Sequence, residues 1–268
     1  MDITSVKFTN YKALNNYSVS LQSVNILVGP NNSGKSTILS AFRVLEYALR
    51  IAKAKSPTRV INVDGHQTNG HVIPENNIPV SIENIHTDYS DTDSKIEFRV
   101  SNRNKLTLYF PVDGGCILHW NTTGASITTP SAFRREFPID IQVIPVLGPI
   151  EQEEVIVTDE TVRRSAGTPR ASRHFRNYWY KNPDGFSGFK ELIESTWPGM
   201  SIKQPELTSV LERRLVMFCS ENRLDRELFW SGFGFQIWCQ LLTHIARCNE
   251  SSLIVIDEPE VYLHPDVQ

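Results

Sequence analysis

Residues 29–36, Gly29-Pro30-Asn31-Asn32-Ser33-Gly34-Lys35-Ser36, fit the pattern G-x-x-x-x-G-K-S/T at every fixed position. Few short stretches constrain a fold as tightly. The glycines let the backbone turn sharply enough for successive N–H groups to face one point, and a helix starting at the lysine adds its positive end there. The flanks match this need. Val24-Asn25-Ile26-Leu27-Val28 reads as a buried strand, while Ile38, Leu39, Phe42, Leu45, Leu49 and Ala52 recur at helical steps before Pro57. A polyphosphate is the ligand such a loop suits. Gly29, Pro30, Asn31, Asn32, Ser33 and Gly34 form the cradle, and Lys35 reaches the β- and γ-phosphates. The Ser36 hydroxyl takes a Mg2+ coordination site, with Thr37 beside the α-phosphate.

The opposite end of the chain supplies acid. Leu253-Ile254-Val255-Ile256 reads as a strand buried on both faces of a mostly parallel sheet, and Asp257-Glu258-Pro259 follows it. Carboxylates at the C-terminal edge of such a strand lie where α/β sheets hold ligands. Asp257 is placed to hold magnesium through water, and Glu258 to take a proton from an attacking water.

Between these ends, strands are expected at residues 3–8, 17–21, 95–100, 106–110 and 140–147, with Asp113-Gly114-Gly115 as a hairpin signal. Residues 56–77 read as an exposed loop, residues 159–220 as mostly helical, and residues 235–246 as a helix. Several function classes drop out on composition. The formal net charge of -3 argues against a surface built wholly to grip phosphate backbones. Cys116, Cys219, Cys239 and Cys248 form no CxxC pair, so zinc and dithiol chemistry are not signalled. His66, His71, His119, His174 and His244 fall at no metal-ligand spacing. No signal peptide or membrane-length apolar run is seen, which reads as a cytoplasmic protein.

With both motifs in place, the sequence resembles the ATP-binding cassette (ABC) type of P-loop ATPase head, in the group of the Structural Maintenance of Chromosomes (SMC), RecF and OLD (overcoming lysogenization defect) proteins. Three further stretches carry the resemblance. Val6-Lys7-Phe8-Thr9-Asn10-Tyr11-Lys12-Ala13-Leu14 resembles the family's first hairpin, with Lys12 as the basic residue that approaches the nucleotide. Asp257-Glu258-Pro259-Glu260-Val261-Tyr262-Leu263-His264-Pro265 resembles the OLD-type stretch whose Leu-His-Pro part replaces the D-loop of transporters. Ser231-Gly232-Phe233-Gly234-Phe235-Gln236 resembles the ABC signature, with Phe233 separating glycines that are adjacent in transporters. A serine and two glycines at a helix start form a second anion nest. In the family it closes on ATP held by a partner, so Ser231, Gly232, Gly234 and Gln236 are implied nucleotide contacts in a homodimer that sandwiches two ATP molecules.

The resemblance implies one ABC-type head over residues 1–268: the β-lobe start and phosphate loop at 1–55, a β-rich insertion at 56–158, a helical lobe at 159–245 and the acidic strand at 246–268. The fold class expected is α/β, a mixed sheet with an N-terminal antiparallel β lobe and a helical lobe. The sequence ends ten residues past Glu258, before the family's switch histidine and before the TOPRIM nuclease domain of OLD nucleases, and reads as a head cut short. The implied function is ATP binding and hydrolysis with Mg2+, controlling a separate effector in phage defence or DNA processing. A non-hydrolysing nucleotide-gated scaffold and a RecF-like repair ATPase are the alternatives. Glu83, Asn84 and His86 share the region where a γ-phosphate-sensing glutamine would fall. Residues 163–181 hold Arg163, Arg164, Arg170, Arg173, Arg176 and Lys181 among Phe175, Tyr178, Trp179 and Tyr180. Three readings stay open for that strip: a nucleic-acid track, a docking face for an acidic protein, or a solvated helix face over core aromatics. Glu151-Gln152-Glu153-Glu154 reads as a solvated acidic loop.

Overall fold

A computed structural model describes residues 1–63, 65–75, 78, 84–124, 126–166, 168–209, 211–248 and 253–263. The chain divides into two compact units, Met1–Gln142 with Ser251–Val255, and Val143–Glu250 with Ile256–Gln268.

The first unit opens with β1 (Ile3–Thr9) and β2 (Tyr17–Ser20), followed by α1 (Lys35–Ala54). Then come β3 (Thr58–Val63), β4 (His66–Ile73), β5 (Ser94–Val100), β6 (Lys105–Phe110), β7 (Cys116–Asn121), α2 (Pro130–Glu136) and β8 (Ile141–Ile144). Seven of these strands form one sheet in the order β2-β1-β5-β6-β7-β4-β3. Each of its pairings is antiparallel. Val6, Phe8, Ile96, Phe98, Leu106 and Leu108 are buried along alternating positions of the central strands. α1 turns Ile38, Ala41, Phe42, Leu45, Ala48, Leu49 and Ala52 into the same core, and Phe42 meets Phe98 edge-on at 5.6 Å. Each side chain of that size contributes about 1.5–3 kcal/mol on burial, so this stripe holds α1 firmly. The helix ends at Lys55, two residues before Pro57, which can neither donate to a helix nor let its predecessor stay helical.

The second unit contains β9 (Glu154–Val155), α3 (Asp159–Ser165), α4 (Phe175–Lys181), α5 (Phe186–Thr196), β10 (Met200–Ile202) and β11 (Glu206–Ser209). It continues with β12 (Arg214–Val216), β13 (Phe218–Glu221), β14 (Leu224–Glu227) and α6 (Phe233–Ala246). Two small sheets, β10-β13-β14 and β11-β12-β9, accompany the helices. Trp179 stacks on Phe189 at 4.3 Å within a core that includes Phe175, Phe186, Ile193, Phe235 and Cys239. The last strand, β15 (Leu253–Ile256), pairs with β8, and the two strands have residues in both units. Hydrogen bonds from Leu253 N to Asp140 O and from Asp257 N to Ile144 O advance together along both strands, so this pair is parallel. The fold is mixed α/β, as expected. Among the described residues, no helix is long and apolar enough to cross a membrane.

Four expectations need correction. Residues 24–28 are not a buried strand: they lie outside every strand, with Val24 78%, Ile26 82% and Val28 88% exposed. Beyond β2 the chain instead closes a small turn, with Gln22 N donating to Asn25 Oδ1 and Asn25 Nδ2 to Gln22 O. An alternating apolar pattern makes a strand only where a neighbour completes the ladder, and no described strand does so here. Residues 56–77 are not a loop but include the β3–β4 hairpin, turned by Gly65 at φ +76°. Gly70 has no room for a side chain there, since an added Cβ would lie 2.5 Å from Leu118 O. Residues 197–227 are largely strands, because Gly199 at φ +86° turns the chain after α5 and Asn222 and Arg223 both adopt positive φ in the β13–β14 hairpin. β15 is not buried on both faces either. Ile254 is 40% exposed, so the face it lies on is open. By contrast, Gly114 and Gly115, at φ +97° and +90°, turn the β6–β7 hairpin as read from the sequence.

Candidate nucleotide site

The phosphate loop lies in the first unit, and its shape follows from two left-handed residues. Asn32 adopts φ +65° and Gly34 φ +93°, the latter as the N-cap of α1. Gly34 is buried against Leu14, whose Cδ2 would lie 3.2 Å from an added Cβ, so the position requires glycine on both backbone and steric grounds. Gly29 faces Ser33 across the loop, and Ser33 N donates to Pro30 O at 3.3 Å. Lys35 bends back so that Nζ donates to Gly29 O at 2.5 Å and Pro30 O at 3.0 Å. α1 starts with no side-chain cap and no acid in its first turn, which leaves its leading amides to an outside acceptor. Asn31, Asn32, Ser33 and Ser36 are exposed, with Lys35 and Thr37 half-buried. Glycine-shaped turn, uncapped helix start and a lysine drawn over the loop together fit a polyphosphate.

The turn after β1 packs directly on this helix. Tyr11 is fully buried and shares a hydrogen bond with Ser40 of α1 at 3.2 Å, and burial pushes its phenol up to about 12. Lys12 follows at φ +49°, its amide donating to Ile85 O at 2.5 Å. Burial holds the Lys12 ammonium below the ordinary lysine value. Leu14 and Tyr11 thus tie the basic turn to the helix that begins at the phosphate loop. The residues that make this tie, Tyr11, Leu14 and Ser40, were not singled out by sequence, although Tyr11 sits beside Lys12 in the hairpin motif.

The second unit holds the signature-like and acidic stretches together. Ser231 is buried and its Oγ donates to Leu228 O at 2.6 Å; Gly232 is the N-cap of α6. Gly234 lies flush against the stretch after the acidic strand, since an added Cβ would sit 3.0 Å from Tyr262 O. Phe233 meets Tyr262 edge-on at 5.9 Å. Leu263 packs with Ile144, Leu147, Ile237 and Leu241. Asp257 is half-buried at the end of β15, and Glu258 beside it is exposed at φ +47°, a backbone region that non-glycine residues seldom occupy. Gln236 differs from its expected place: it is fully buried, with Nε2 donating to Phe229 O and Ser231 O and Oε1 accepting from Ile150 N. Its side chain braces the turn that carries Ser231.

Other candidates resolve differently. Asn84 accepts from Tyr89 at 3.4 Å and His86 Nδ1 pairs with Ser94 at 2.8 Å, while Glu83, His264 and Pro265 lie outside the described residues. The basic strip is not a continuous charged surface. Arg176 has no exposure and pairs with Glu154 at 3.4 Å and Glu227 at 2.7 Å; Phe175 and Trp179 are core. Arg163 and Arg164 pair with Glu160, Arg173 with Glu151, and Lys181 with Asp159. Glu154, read as part of a solvated loop, is the deep acceptor of this network, with Oε1 receiving the backbone and side-chain N–H groups of Asn177. Glu227 Oε2 caps Phe229 N at 2.7 Å, which links the network to the turn that enters α6.

Residues 1–133 match the model described as "AAA ATPase domain". Residues 128–268 match the model described as "AAA domain, putative AbiEii toxin, Type IV TA system". Among solved structures, an SMC head bound to the C-winged helix domain of ScpA is 15% identical over 98% of this chain and 92% of its own, with a TM-score of 0.52. The recombination mediator RecF with ATP is 10% identical over 98% and 88%, with a TM-score of 0.49. No curated protein matches the sequence. The fold is that of a P-loop ATPase head of ABC type, as in the SMC head.

Proposed function

The chain belongs to the AAA domain family matched over residues 128–268, and from that premise we propose that it is an ATP-binding and ATP-hydrolysing regulatory ATPase of OLD-like type. It dimerises on ATP and controls a separate effector in phage defence or DNA processing. The observation that carries the ATP assignment is the phosphate loop: Lys35 drawn over Gly29 O and Pro30 O at the mouth of an uncapped helix. The family description, which names a toxin–antitoxin system, supports a setting in which one chain acts with another.

In this reading Gly29 to Gly34 wrap the phosphates with backbone N–H groups, and Lys35 exchanges its two carbonyl partners for phosphate oxygens. Lys12 adds charge from a turn anchored to the same helix. Ser36 in the first unit and Asp257 in the second each offer an oxygen donor that would suit Mg2+, a hard cation. Bound there, the ion neutralises charge on the phosphates. Glu258 orients and deprotonates the attacking water. Ser231, Gly232 and Gly234 form the nest that a partner chain's ATP closes on, with Gln236 holding its shape from behind.

Steady-state ATP turnover tests the assignment. Lys35→Ala and Glu258→Gln should each lower turnover about a hundredfold or more, the range for removing a charge clamp or a general base. Wild-type turnover no greater than that of both variants overturns it.

A further inference from the structure

The recess at the far end of α6 gathers polar groups that the rest of the protein leaves unanswered. It is bounded by α3, the turn Pro169–His174, α4 and α6, opens to solvent, and has a cavity volume of about 20 Å3. Ser165, His174, Tyr178, Gln240, His244 and Arg247 are among its lining. Gln240 and His244 are 2% and 3% exposed. Gln240 Nε2 donates to Gly148 O at 2.8 Å and Gln236 O at 3.2 Å. Those bonds fix the amide's orientation, and Oε1 is left buried without a donor among the described residues. Among the described residues, His244 Nδ1 and His174 Nδ1 are buried without a partner as well. Arg247 is half-buried with its guanidinium 4.8 Å from the Tyr178 ring, and no described carboxylate lies within ion-pair distance of it. Native interiors seldom leave this many buried polar atoms unmatched in one place.

The four groups define what would satisfy them. Arg247 asks for negative charge. Gln240 Oε1 can only accept, so the occupant must also carry a proton on a polar atom. The imidazoles donate or accept according to tautomer and adapt to either. Burial lowers the proton affinity of both histidines, which keeps them neutral at physiological pH and leaves Arg247 as the cation of the recess. Water answers Gln240 and the histidines and hydrates the exposed side of Arg247, but only an anion pairs with its charge. A fully deprotonated anion such as sulfate answers Arg247 but sets a lone pair against Gln240 Oε1. An oxyanion that keeps one proton near neutral pH answers all four.

We propose that this recess binds a protonated oxyanion of hydrogen-phosphate chemistry, free or as a phosphomonoester, with Arg247 facing its charge, Gln240 Oε1 accepting its proton, and His174 and His244 completing the ring. The site is separate from the phosphate loop and does not rest on the ATPase reading. The residues that build it lie on α3, α4, α6, the turn before α4 and the position that ends α6.

The experiment uses the full chain carrying Lys35→Ala, so that the phosphate loop contributes nothing. Calorimetric titrations with inorganic phosphate, glycerol phosphate and sulfate are compared, and the histidine Cε1–H resonances are followed in the same titrations. The proposal expects saturable binding of phosphate or glycerol phosphate, the tighter of the two naming the source. It expects sulfate to bind at least tenfold more weakly, and Arg247→Gln to weaken phosphate at least tenfold while melting as the parent does. Two histidine resonances should move with saturation in the parent, a readout that needs no second variant. Absence of saturable binding, equal affinity for phosphate and sulfate, or an affinity unchanged by Arg247→Gln overturns it.

Discussion

Arg176 shows how much a single side chain can carry out of sight. All of its guanidinium nitrogens reach acceptors: Nε and Nη2 bond Glu227, and Nη1 bonds Glu151 O and Glu154. Burial pushes the Glu154 carboxyl upward in pKa, while its bonds from Asn177 and Arg176 pull the other way. A buried pair of this kind contributes little over an apolar substitute, but removing one partner strands the others. Arg176→Met should therefore destabilise the protein by about 3–5 kcal/mol in urea unfolding monitored by tryptophan fluorescence. A change under about 1 kcal/mol would contradict the packing described here. The sequence could not show this role. Basic and aromatic residues interleave alike on an exposed strip and on a half-buried helix, and the acids that decide between them lie 22 and 51 residues away. Lys35 was legible because the acceptors that fix its geometry, Gly29 O and Pro30 O, lie within the motif itself, whereas the Leu14 contact that also demands glycine at 34 does not.

The elements divide along the same line. α1 and β5 were readable because each is specified by its own periodicity against one buried face, and β6 and α6 because each is a dense apolar run buried on more than one side. Residues 24–28 were misread because a strand is a property of a pair, and the apolar alternation says nothing about the neighbour. The strands from β10 to β14 were missed because they are three or four residues long and turn through non-glycine residues at positive φ, Arg213, Asn222 and Arg223. α6 joins the two functional stretches of its unit through Gly234, which has only hydrogen to offer against Tyr262 O. Gly234→Val should push the helix start away from residues 258–263, costing about 1–3 kcal/mol as overpacking and lowering ATP turnover with it. Thermal melting and turnover of that variant matching the wild type would show that the contact does not position the signature-like turn.

The order of the motifs along the chain makes the fold class legible: phosphate loop first, signature-like turn and acidic strand end last, with a β-rich stretch between. That order does not reveal that the chain divides into two compact units, one bearing Lys12 and residues 29–37, the other Ser231 to Gln236, Asp257 and Glu258. The parallel pairing of β8 with β15 was equally beyond reach, since register between distant strands depends on packing that no local pattern records. On the proposed function, the loop from Gly29 to Thr37 is an ATP site and Glu258 acts after binding. Equilibrium titration of Mg2+-ATP onto the wild type, Lys35→Ala and Glu258→Gln separates these steps. Lys35→Ala should bind at least tenfold more weakly than the wild type, while Glu258→Gln should bind as tightly or more tightly. Equal ATP affinity in the wild type and Lys35→Ala would contradict it.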